Sequence, residues 1–183
     1  MKTNKQLMQD ARGRLTGNWE TPIVTYLVAS LISGIGGPVG LVIGGPMQFG
    51  VSAFSLRFAR GKNAELAQIF DGFRMRVSES IVAYLLMLLY ILLWSLLLII
   101  PGIIAAISYS QTFFILAEDD KVSGTEALAR SQKMMSGNKG KFFAFCLRFT
   151  GWFILCLFTF GIGFLWLMPY MQVSFANFYN DIK

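Results

Sequence analysis

Few residues in this chain are of a type that could do chemistry. Glu118, Asp119 and Asp120 form a run of three carboxylates, a cluster of the kind that can hold a hard cation through oxygen ligands. The commoner reading of such a run is a solvated turn closing a helix, and Lys121 beside it lowers the local charge. Arg148 sits in otherwise apolar sequence, seven residues beyond Lys141. That is roughly 10 Å along a helix, so its side chain could snorkel back to an interface or turn inward as an intramembrane charge, with Glu20 and Glu79 as candidate acidic partners. Cys146 and Cys156 share one apolar stretch, and the chain has no histidine. Without a base beside any serine or cysteine, nucleophilic catalysis, a zinc site and a disulfide framework all lose support. The expectation is a protein that is not an enzyme and that carries no metal or cofactor.

Uncharged polar residues form a second group. Gln48 and Ser52 follow Pro46, Ser108 and Gln111 follow Pro101, and Gln172, Ser174 and Asn177 follow Pro169. Taken together they could line a polar cavity, although hydrogen bonding between packed helices is the plainer reading. Gly36, Gly40 and Gly44 recur every four residues. They lack the Lys and Ser/Thr of a phosphate-cradling loop, and instead offer a smooth helix face for close approach.

The elements that must position these residues are read from hydropathy. Of 183 residues, 55% are hydrophobic and 14% charged, with mean hydropathy +0.56; soluble domains carry roughly 25% charge. Apolar runs long enough for a bilayer fall near 21–35, 39–58, 78–98, 101–117, 142–159 and 162–178. The prolines Pro46, Pro101 and Pro169 are expected to interrupt helices, Pro101-Gly102 separating the third span from the fourth. Residues 33–38 and 159–163 supply the other tight turns. All Lys and Arg residues except Arg148 lie in the first segment, in 57–76, in 121–141 or at Lys183. By the positive-inside rule both termini and both long connections face the cytoplasm. The basic start has no apolar core before a cleavage site and is expected to be retained.

Three amphipathic helices are expected at that face. Leu7, Met8, Ala11 and Leu15 mark the first, and Leu66, Ile69, Phe70 and Phe73, capped by Asn63, mark the second. A Ser123/Glu126 capping box opens the third, which carries Leu128 and Met135 a heptad apart. Each ends in a polar residue and glycine, at Gly17, Gly72 and Gly137, and the following prolines lie 29, 29 and 32 residues on. The predicted fold is therefore one all-α membrane domain over 1–183, with about six transmembrane helices arranged as three hairpins. Each hairpin follows a cytoplasmic amphipathic helix, in units 1–60, 61–121 and 122–183 related by approximate threefold symmetry.

Particular residues carry a family resemblance. Trp94-Ser95-Leu96-Leu97, Ile100-Pro101-Gly102-Ile103-Ile104, Tyr109-Ser110, Ile115-Leu116-Ala117, Gly137-Asn138-Lys139, Gly151-Trp152, Gly161-Ile162-Gly163, Pro169-Tyr170 and Phe178-Tyr179 together resemble the bacterial family catalogued as domain of unknown function 975. The likeness is dense from Trp94 to Tyr179 and thinner before it, where Gly17-Asn18-Trp19 is the main echo. Glu118 stands where such sequences more often carry aspartate, and Phe160 where leucine is usual. The resemblance implies a multi-pass protein of the cytoplasmic membrane, mainly of Gram-positive bacteria, and brings no activity and no catalytic residues.

The expected function is a non-enzymatic scaffold or accessory role, binding membrane lipids, anionic headgroups among them, or other membrane proteins. The basic charge is read as topology and lipid contact rather than nucleic-acid binding. The alternative is a transporter or channel-like protein passing a small solute or lipid through a polar cavity on the threefold axis.

Overall fold

The structure, a computed structural model, describes residues 1–34, 37–159 and 161–183. Every element among them is helical. In chain order they are α1 (Asn4–Leu15), α2 (Glu20–Ser33), α3 (Gly37–Ala59), a 3-10 helix (Leu66–Phe70), α4 (Asp71–Arg74) and α5 (Val77–Leu97), then α6 (Ile99–Tyr109), α7 (Thr112–Glu118), α8 (Gly124–Met135), α9 (Lys139–Phe158) and α10 (Phe164–Ile182). Four stretches, Val39–Ala59, Val77–Leu97, Ile99–Glu118 and Lys139–Phe158, are long and apolar enough to cross a membrane, and Glu20–Ser33 is apolar but shorter.

Local chemistry accounts for the ends of α1 and α8. Thr3 and Gln6 close a reciprocal capping box on α1, Gln6 N–H donating to Thr3 Oγ1 at 3.3 Å and Thr3 N–H to Gln6 Oε1 at 2.8 Å. Ser123 accepts from Glu126 N–H at 3.3 Å at the start of α8, one half of the expected capping box; the Glu126 carboxylate turns to Arg130 instead. Both α1 and α8 are followed by a glycine at left-handed φ, Gly17 at +86° and Gly137 at +83°, a conformation that a Cβ would strain.

Several expected boundaries are corrected. The break in the long apolar stretch falls at Leu98, whose backbone is extended, and Pro101 sits inside the first turn of α6, where its missing N–H would have had no helical partner. Pro46 and Pro169 do not break their helices; each lies within a continuous one, α3 and α10. In a packed bundle the freed carbonyl can be satisfied by neighbours, which makes interior proline tolerable. The interruption that does occur in this part of the bundle, between α6 and α7 at Ser110-Gln111, had no proline to announce it. The second amphipathic segment is a 3-10 turn running into α4, and Asn63 lies outside it rather than capping it. Gly72 is not a terminating glycine of the Gly17 type. It is buried in α4, where an added Cβ would lie 2.1 Å from the Pro46 carbonyl oxygen.

Helices α3, α7 and α10 form the inside of the bundle. Phe54, Leu116, Val173 and Phe178 are completely enclosed there, and Phe114 stacks on Tyr179 with ring centres 5.7 Å apart. Around them, α5 packs on α3 and α6, α9 on α6 and α10, and α2 on α3 and α10. The amphipathic segments close one end: α1 lies on α10, the 3-10 helix on α3, and α8 on α5, α6 and α7. Glycine sets the closest approaches. A Cβ at Gly45 would lie 2.3 Å from Ser80 O, and one at Gly50 would lie 1.9 Å from Ile69 O. Of the glycine stripe, a Cβ at Gly44 would meet the Tyr84 ring at 2.7 Å, Gly40 is helical within α3, and Gly36 lies outside the described residues, as does Phe160.

Candidate functional site

The end of the bundle that carries the amphipathic segments also gathers the charge. Glu118, closing α7, ties the three inner helices together. Its carboxylate accepts from Tyr179 Oη of α10 at 2.6 Å, pairs with Lys183 Nζ at 2.7 Å, and pairs with Arg60 just past α3. Arg60 also donates to Asn180 Oδ1 from Nε at 3.1 Å and from Nη2 at 2.8 Å. Asp119 turns the other way, to Arg130 at 3.0 Å and the Lys121 N–H at 3.0 Å. The Lys121 N–H first, and then Arg130, hold its carboxyl below the ordinary aspartate range. The backbone carbonyls of Asp120 and Val122 accept from Arg76, whose side chain is buried. The three consecutive acids thus have divergent partners, and among the described residues no group of three acidic, histidine or cysteine side chains converges as a metal site.

Near the chain ends, Asp181 accepts from Lys141 Nζ at 2.7 Å and from Lys2 N–H at 2.7 Å. Burial pushes its carboxyl up, but these donors outweigh it and leave the pKa below the ordinary value. Arg60, Arg76 and Asp181 were not singled out by sequence reasoning. Apart from Glu79, 4.0 Å from Arg76 and three residues on, their partners lie tens of residues away or at the opposite end of the chain, beyond the reach of local spacing.

The uncharged polar residues are dispersed. Ser108 and Gln111 are brought together through α8: Ser131 Oγ donates to Ser108 O at 2.8 Å and accepts from Gln111 N–H at 3.2 Å. Gln111 Nε2 donates to Ser110 Oγ at 2.9 Å, while its buried Oε1 has no protein partner. Ser52 is buried and its Oγ is likewise without a partner. Ser174 donates to the Tyr170 carbonyl of its own helix at 2.6 Å, and Asn177 Nδ2 donates to Leu7 O at 3.4 Å. Gln48 and Gln172 are half-buried. Arg148 stands on the exposed face of α9 and makes no ion pair among the described residues. Of its candidate partners, Glu79 is 4.0 Å from Arg76 and Glu20 is exposed.

Two of the clefts among the described residues stand out. One, of about 400 Å³, opens where α9 and α10 meet the α1–α2 junction, and Trp19, Trp152, Leu155, Trp166, Leu167 and Tyr170 line it together with Arg12. The other, of about 420 Å³, lies at the charged end among Arg14, Asn18, Thr21, Lys62 and Glu65. Neither is lined by the polar residues that follow the prolines. The tryptophan cleft joins residues from both ends of the chain.

Residues 95–183 match the model of the family described as protein of unknown function (DUF975). No curated protein and no solved structure matches the chain.

Proposed function

We propose that this chain is a non-enzymatic, multi-pass protein of the bacterial cytoplasmic membrane that acts as a scaffold or accessory protein, binding lipids or other membrane proteins. The observation that carries the reading is an inversion of the usual burial order. Of the four membrane-length stretches, Val77–Leu97 is the most apolar, yet only 11% of it is buried inside the protein, against 61% of Val39–Ala59. Water would drive the most apolar helix inward, whereas hydrocarbon or an apolar partner imposes no such order.

The finer arrangement we propose has six spans in three hairpins, α2–α3, α5–α6/α7 and α9–α10, with both termini in the cytoplasm and an approximate threefold repeat. Its support is a cyclic pattern of packing. Each amphipathic segment lies on the second helix of the preceding unit: α1 on α10, the 3-10 helix on α3, and α8 on α6 and α7. The first helix of each unit likewise packs on the second helix of the unit before, α2 on α10, α5 on α3 and α9 on α6. The gathering of Lys and Arg at one end supports cytoplasmic termini.

Purification of the full chain from membranes in mild detergent tests the role. Stoichiometric retention of a lipid or protein supports it. A bare protein that passes solutes across liposomes, and loses that flux on Gln48→Leu, Gln111→Leu or Gln172→Leu, would replace it with permeation. That second reading draws on the partnerless buried oxygens of Thr25, Ser52 and Gln111, which solvent or a passing solute could satisfy.

A further inference from the structure

We infer that the tryptophan-lined cleft is a binding site for one anionic phospholipid, whose acyl chain lies along α10 and whose phosphate is held by Arg12 with Arg148 beside it. The inference rests on the membrane reading above and adds to it the class of lipid and the place it occupies.

The cleft has two chemically distinct parts. Its walls are apolar and aromatic, with Trp152, Leu155 and Trp166 about half exposed, so they offer a ready surface to a hydrocarbon chain. From Gly163 to Tyr170 the α10 wall spans seven residue-to-residue steps, about 10 Å of helix. Arg12, by contrast, is an exposed cation with no ion pair or side-chain hydrogen bond among the described residues. Arg148, equally unpaired, precedes Trp152 by four residues and so occupies the same stripe of α9. Lys2, Arg60, Arg130, Lys141 and Lys183 have carboxylate partners, and Lys5, Arg14 and Lys133 are among others that have none; what distinguishes Arg12 is that it is the charged residue lining this cleft.

A free guanidinium in an apolar aromatic trough, with a second one helical turn before Trp152 on α9, complements a ligand with a negative head and a long apolar tail. Arginine holds phosphate oxygens through paired N–H donors, and tryptophan prefers the headgroup boundary where one side of its ring is wet. A zwitterionic lipid supplies the same tail but no net charge, so the arginines confer selectivity rather than mere adhesion.

The test uses the full chain carrying Trp94→Phe, which removes the one tryptophan outside the cleft. It is reconstituted in phosphatidylcholine vesicles to which phosphatidylglycerol or phosphatidylcholine with brominated acyl chains is added at equal mole fraction. Bromine quenches tryptophan on contact. The expected result is about a fivefold lower half-quenching fraction for the brominated phosphatidylglycerol, the enrichment that one arginine gives at an anionic surface. Arg12→Gln should bring the two lipids to parity, and Arg148→Gln should reduce the preference. Equal quenching of the parent protein by the two lipids overturns the site while leaving the membrane reading intact. Quenching by neither means that protein fills the cleft and also overturns the site. Failure of the protein to float with the vesicles at all would remove the membrane reading with it.

Discussion

Inner and outer helices of this bundle are built from the same kinds of residue and live in different surroundings. On α3, α7 and α10, Phe54, Leu116 and Phe178 are sealed from the surface, whereas on α5 and α9, Leu96 and Phe158 are nearly as exposed as side chains can be, at 79% and 78%. The inner helices are tied by a shared acid, Glu118, and glycines of α3 let α5 and the 3-10 helix approach it closely, whereas the outer helices show leucine and phenylalanine to whatever surrounds them. The difference teaches that apolar character alone does not specify the inside of this protein. Small residues and polar ties do, as expected where the surrounding solvent is itself apolar.

The comparison breaks first at the glycines. Gly50→Leu should cost about 3 kcal/mol or more, because its side chain must displace the Ile69 backbone, and the variant should fail to accumulate in membranes. Gly151→Leu on outer α9, where an added Cβ meets nothing within 4 Å, should stay within about 0.5 kcal/mol. Equal losses by unfolding in detergent would erase the distinction.

A single helix carries the next contrast. Phe145 is enclosed on the inner face of α9 and packs on Phe149, Phe175 and Phe178. Phe145→Ala should lose about 2–3 kcal/mol, since the cavity penalty persists even though transfer to lipid recovers part of the rest. Phe158→Ala, at the exposed end, should be silent by thermal unfolding.

At the charged end the effect is smaller. Glu118→Ala strands Arg60, Lys183 and Tyr179, and an expected loss of about 1–2 kcal/mol is checked by the same unfolding assay; a loss no larger than that of Asp120→Ala would show that the inner helices do not depend on this acid. Smallest of all is a pH effect at Asp181. Its pKa is depressed on folding, so its stabilisation is full above the ordinary aspartate value and disappears as pH falls through the lower folded value. Asp181→Asn should lower the melting temperature slightly at neutral pH and flatten that acid limb, so that the variant and the parent converge at low pH.

These contrasts also mark how far the residues could be read in advance. Hydropathy placed the long helices within a few residues, and the grouping of Lys and Arg matched the end where Lys2, Arg60, Lys141 and Lys183 find their partners. Proline misled. Pro46 and Pro169 sit in unbroken helices, while the chain yields at Leu98 and at Ser110-Gln111, because tertiary packing decides whether a missing N–H matters. Glu118 resembled a solvated turn residue. Its role depends on Arg60 and Lys183, 58 and 65 positions away, and local composition carries no trace of such pairs. The tryptophan cleft was hidden for the same reason: Arg12 and Trp166 become neighbours only after the helices assemble.

Aqueous accessibility of the outer face tests the central claim most directly. With Cys146 and Cys156 replaced by serine, single cysteines at Leu89 on α5 and at Phe153 on α9, both about half exposed on the protein surface, are treated in intact membranes with a water-soluble maleimide. Cysteine at the exposed Lys133 of α8 is the reference. The account predicts prompt labelling at 133 and none at 89 or 153 until the membrane is dissolved. Labelling at 89 and 153 as fast as at 133 would contradict it.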